Sequence, residues 1–142
     1  MKRVLVAAGL MGLFGTMAMS VTAFAGKEER EYLKSDVMPS VKKAEAAFKS
    51  ACGCALTITV DETTLKTKDD LYPAKHIADS VADGVAGYCT DAASKKAVCQ
   101  MKSLTLAKAA EAKFTFKGGK GIATTDGQSH TTFEMMTREL DK

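Results

Sequence analysis

The stretch SACGCALTITV, residues 50–60, is where one structural period in the chain gives way to another. Before it, Leu33, Val37, Val41, Ala44 and Phe48 recur at steps of three and four, the spacing of one helix face. After it, Cys54, Leu56, Ile58 and Val60 alternate with Ala55, Thr57, Thr59 and Asp61, the period of a strand with one buried side. Gly53 sits where a helix closes on a left-handed residue. The joint therefore predicts a helix that ends in Cys52 and a strand that begins near Cys54, with Cys54 on the buried side.

Upstream, Glu28, Glu29 and Glu31 occupy the first turns of the helix, where the macrodipole favours anions. Pro39 removes one hydrogen bond from its interior and predicts a kink or a break. Downstream, after the polar run DETTLKTKDD, acidic residues and Pro73 in the first turn announce a second helix. Its stripe is Ala74, Ile77, Val81, Val85 and Tyr88, with Gly84 in the same sector offering close approach to the sheet. The C-terminal third, in VCQMKSLTLA, KFTFK, KGIATT and QSHTTFEMM, reads as mainly antiparallel strands, with helical turns possible in KAAEA and EMMTREL. Asp126-Gly127 is its strongest turn signal. At Gly118-Gly119 a three-residue loop is expected, because it brings Phe116 and Ile122 onto one face, whereas a two-residue loop would part them. The fold class expected is α+β: two helices on one face of a roughly four-stranded, mainly antiparallel sheet, in the order α-β-α-β-β-β.

That order places the cysteines. If consecutive elements run antiparallel through short connections, the first helix runs down to Cys52, the strand rises from Cys54, the second helix descends to Cys89 and the next strand rises near Cys99. All four sulfurs meet at one end. Bonding Cys52 to Cys54 would close a very small ring against the required geometry. The preferred disulfides are Cys52–Cys89, joining helix ends, and Cys54–Cys99, joining strand starts. A thiol-redox centre is disfavoured because Cys52 lies at a helix C-terminus, where the dipole raises a thiol's pKa. A zinc site lacks the two-residue spacing with which neighbouring thiolates chelate one ion.

The chain opens with Lys2 and Arg3 and then has no charge until Lys27, with Ala23-Phe24-Ala25 offering a small-x-small cleavage site. Residues 1–25 are therefore expected to be a cleaved secretory signal, the rival being an uncleaved anchor, and residues 26–142 a single domain. Export to the bacterial periplasm follows, an oxidising compartment that favours disulfides. Lys2 and Arg3 leave with the signal while all 17 acidic residues stay, so the net charge falls from +3 to +1. With no basic run and no Trp, no nucleic-acid partner is expected, and no membrane contact after cleavage.

The remaining chemistry is sparse. Of the two histidines, His76 reads as a surface residue, and Ser129 beside His130, which looks like a nucleophile next to a base, would point to the opposite face of a strand. Asp79 and Asp83 share a helix face with Lys75 and read as solvated. KGGKG, 117–121, lacks the spacing of a nucleotide-binding loop. Lys113, Lys117, Gly118, Gly119 and Lys120 are the residues most suited to touch an anionic surface or partner. The dispersed methionines Met38, Met101, Met135 and Met136 read as core filler. No cofactor and no metal are expected. The expected function is non-catalytic binding of another envelope protein, concretely the inhibition or neutralisation of an envelope-acting enzyme, at the edge and outer face of the last hairpin. A thiol-redox or metal-binding protein built on the cysteine cluster is the alternative.

Overall fold

The computed structural model describes residues 26–142; the expected signal, residues 1–25, lies outside the described residues. Helix α1, Lys27–Tyr32, runs through a π-helical turn, Leu33–Val37, into α2, Met38–Cys52. Pro39 neither breaks nor ends this run. The Met38 N–H reaches back to Leu33 O, so the wider turn forms just before the residue that has no N–H to give. Gly53, at φ 81°, closes α2 as expected, its N–H bonded to Lys49 O.

Strand β1, Thr57–Val60, leads to α3, Lys68–Tyr88, which starts earlier than its proline suggested. Thr67 caps it: the hydroxyl accepts from the Asp70 N–H, while the Asp70 carboxylate accepts from the Thr67 N–H. Pro73 thus lies inside the helix and is buried. A short α4, Ala92–Val98, capped by Asp91, occupies residues read as connection and strand. Strands β2, Ser103–Lys108, β3, Phe114–Lys117, and β4, Lys120–Thr125, follow, then α5, Phe133–Leu140. The expected strand QSHTTFEMM shrinks to one bridge, His130 with Thr125, before Thr132 caps α5. Gly84 admits the Phe133 ring of α5 rather than the sheet; a Cβ there would meet Cδ2 at 2.7 Å.

The class is α+β, but the sheet is mixed rather than mainly antiparallel. Its order is β1-β2-β4-β3, with β1–β2 and β2–β4 parallel and only β3–β4 antiparallel. Parallel pairing of β1 with β2 is what a helical crossover imposes. The β3–β4 hairpin turns on two residues, Gly118 and Gly119, at φ 58° and 82°, so Lys117 faces Lys120. Phe116 and Ile122 are therefore on opposite faces, contrary to the three-residue expectation. A Cβ at Gly121 would lie 2.7 Å from the Phe114 ring and 2.8 Å from Met101 Sδ, so glycine lets both close over β4.

One face of the sheet carries Ile58, Leu104, Gly121 and Phe116, then Val60, Leu106, Ala123 and Phe114. These join Phe48, Ile77, Val81, Val85 and Met136 of the helices in a single core. Both disulfides form in the preferred pairing, Cys52–Cys89 and Cys54–Cys99, and leave no free cysteine. Cys52 and Cys89 are buried, while Cys54, expected inside, is only half-buried because the strand starts three residues later.

At the opposite end from the sulfurs, buried Asp70 receives Lys108 Nζ at 2.8 Å. Burial pushes the carboxyl's pKa up, but the Lys108 contact and the Thr67 N–H outweigh it and hold the group below its ordinary value. A depressed folded pKa means stability that is present above the unfolded carboxylate range, about 4, and lost as pH falls through the folded value. The unfolding midpoint is therefore expected to drop on acidification below about pH 4. Asp70→Asn should lower stability at pH 7 and flatten that acid slope, as denaturant titrations across pH will read.

Candidate functional site

Among the described residues no helix covers the outer face of the sheet. The register sets out two ranks there: Thr57, Ser103, Lys120 and Lys117, then Thr59, Thr105, Ile122 and Thr115. Ile122 is 44% exposed, one of two large apolar residues so displayed among the described residues. The β-branched members of these ranks, Thr57, Thr59, Thr105, Thr115 and Ile122, are restricted at χ1. At its upper end the connection 109–113 folds over: the Thr124 hydroxyl donates to Glu111 O and accepts from Lys113 N–H. The lower end is open.

That lower end is basic. Lys117 and Lys120 flank the glycine turn, Lys102 lies against Gly119, and Lys95 and Lys96 project from α4 between Cys89 and Cys99. All five are exposed, and none is in an ion pair among the described residues. Of the residues expected to touch an anionic partner, Lys117, Gly118, Gly119 and Lys120 stay together. Lys113 does not join them, because it lies at the far end of β3, beside Arg138 and Glu139 of α5.

The expected last hairpin, KGIATT with QSHTTFEMM, does not form, because its second strand is reduced to the His130–Thr125 bridge, and KGIATT, β4, is an interior strand paired on both sides. The true edges are β1 and β3. On β1 the outward N–H of Ile58 is taken by the Glu45 carboxylate of α2 at 2.7 Å. Thr124 N–H bonds to Lys113 O, so the antiparallel alternation aims the main-chain groups of Phe114 and Phe116 away from the sheet.

The histidines, which the sequence reading kept apart, come together. His76 of α3 and His130 of the β4–α5 loop stack with ring centroids 5.6 Å apart and planes inclined by 28°. Tyr72 packs edge-on to His76 at 4.5 Å. The rings border a hollow of about 470 Å³ shared with Asp69, Pro73, Gly127 and Gln128. Nothing in their sequence spacing signals this; it depends on where the Asp126 turn sets the loop, with Asp126 Oδ1 accepting from the N–H groups of Gln128 and Ser129. Among the described residues neither histidine has a serine hydroxyl bonded to it. The Ser80 hydroxyl donates to Ile77 O and accepts from Phe133 N–H, which ties α3 to α5.

All four sulfurs are bonded in pairs, so none is a thiolate open to a metal. Disulfides fit an oxidising, exported setting, and no helix among the described residues is long and apolar enough to cross a membrane. No protein-family model, curated protein or solved structure matches the chain.

Proposed function

We propose that this is a non-catalytic binding protein of the bacterial periplasm, and that it docks another envelope protein, an enzyme that it inhibits, on the open face of its sheet. The observation that carries the reading is the sheet coated on one side only. Its bare side presents Thr59, Thr105, Thr115 and an Ile122 that is 44% exposed. Leaving an isoleucine in water at the centre of a flat surface is a feature of contact patches, where an apolar anchor sits in a polar surround. Lys117 and Lys120 adjoin the anchor with no partner carboxylate among the described residues, so the complementary surface is acidic.

A photo-crosslinking residue at Ile122 tests the reading, with one at exposed Lys43 on α2 as control. The expected result is one envelope protein captured from Ile122 at a one-to-one ratio and none from Lys43. Purified, that protein should lose an enzymatic activity when the partner is added, and Ile122→Asp should weaken the complex at least tenfold without shifting the melting temperature. Equal capture from both positions, or an unchanged affinity in Ile122→Asp, would overturn it.

A further inference from the structure

Strand β3 ends the sheet on the side away from β1. The two-residue turn makes Lys117 and Lys120 a bonded pair, and Thr124 N–H bonds to Lys113 O, so bonding to β4 falls on Lys113, Thr115 and Lys117. The N–H and C=O groups of Phe114 and Phe116 point out of the sheet, and among the described residues no side chain takes them. We infer that this edge receives an extended segment of a partner protein as a fifth strand, antiparallel to β3, with an acidic side chain opposite each of Lys113 and Lys117 and apolar ones opposite Phe114 and Phe116.

Charge selects the occupant. Lys113 immediately precedes β3 and Lys117 is its last residue; both are exposed, and neither is in an ion pair among the described residues. Opposite charges facing one another across paired strands stabilise the pair, and like charges destabilise it. A second copy of this chain, paired along the whole of β3, would set Lys117 against Lys113 at both ends. The lysines that draw an acidic segment therefore turn away the chain's own strand.

The two residues facing Phe114 and Phe116 lie on the core side of the sheet. There the two phenylalanine rings stack with centroids 6.4 Å apart and planes inclined by 14°, and Phe116 is only half-buried. A hollow of about 210 Å³ opens between Phe114 and Met135 of α5. Arg138 and Glu139 on its rim are already paired, with Glu134 and Lys142, so Phe114 and Met135 are what it offers an incoming side chain. An edge strand beside a helix, with main-chain bonds for affinity and a side-chain hollow for selection, is the arrangement used in strand addition. The edge and the open face are separate surfaces, so this inference stands or falls without the docked enzyme.

The probe is the fluorescein-labelled peptide Thr-Glu-Val-Thr-Val-Glu-Thr, titrated by anisotropy into the untagged, disulfide-bonded protein. One-to-one binding is expected, with hydrogen exchange at the Phe114 and Phe116 amides slowed at least tenfold and that of Thr115, already bonded to β4, little changed. N-methylation of both valines, whose N–H groups face β3, should weaken binding at least tenfold. N-methylation of the central threonine, whose N–H points away, should change it less than twofold. Lysine in place of both glutamates should weaken it at least tenfold, and Lys113→Gln with Lys117→Gln, at an unchanged melting temperature, should cost several-fold and flatten the salt dependence. No binding of the acidic peptide, equal losses from the two N-methylations, or Phe114 and Phe116 amides already slow in the free protein would overturn the assignment. So would a concentration-dependent dimer that the peptide fails to dissociate, which would give the edge to a second copy.

Discussion

Cys52→Ala combined with Cys89→Ala is expected to lower the unfolding free energy by about 4 kcal/mol. The bond spans 37 residues, and freeing a loop of that size restores conformational entropy to the unfolded chain. Against a total of roughly 5–15 kcal/mol for an ordinary domain, the variant should show a clear fall in the urea midpoint. Cys54→Ala with Cys99→Ala, across 45 residues, should cost a similar amount. The two bonds differ in accessibility: Cys52 and Cys89 are buried, Cys54 and Cys99 half-buried. Graded reduction followed by alkylation and mass mapping should therefore label Cys54 and Cys99 first. Simultaneous labelling of all four would show that opening is global rather than local.

The second large effect is expected at Phe48. The ring is fully buried on α2 among core residues of α3 and the sheet, and Phe48→Ala should cost about 3–5 kcal/mol, the lost burial together with the cavity left behind. Ile122→Ala, on the opposite side of the same sheet, should change stability by about 0.5 kcal/mol or less. Paired urea titrations of the two variants measure how unequal the two faces are. If Ile122→Ala were as costly as Phe48→Ala, the outer face would be part of the core and the docking reading would fail with it.

Much of this was legible in the chain. The change of period across residues 50–60, with Gly53 between, marks the turn from α2 to β1, and the down-up-down-up order brings the sulfurs to one end. The same order also makes β1 and β2 run in one direction, an implication that the antiparallel expectation for the C-terminal third passed over. Periodicity identifies β3 and β4, and the Gly-Gly turn joins them, but neither says whether β2 will lie beside β3 or β4. That choice belongs to the 109–113 connection, which the Thr124 hydroxyl pins over the end of the sheet.

Of the two short helices, α5 was foreseen only as a turn in EMMTREL and α4 was not foreseen. In α5, Phe133, Met136, Thr137 and Leu140 follow a helical step behind the Thr132 cap, a pattern masked when the residues before it were read as extended. In α4 the Asp91 cap with Ser94 three residues on was the available signal, overshadowed by reading Cys99 as a strand start. The lysines of the turn were recoverable from sequence because they are neighbours in it. The histidine pair was not, since no local rule connects α3 to the β4–α5 loop.

The Glu45 carboxylate on the Ile58 N–H carries a consequence for how copies of this chain meet one another. End-to-end stacking into a fibre requires every molecule to offer two free margins, one to receive and one to give. Here the molecule's own acid already takes one main-chain donor of the β1 margin, the Ile58 N–H, so a strand added at that margin would have to displace Glu45.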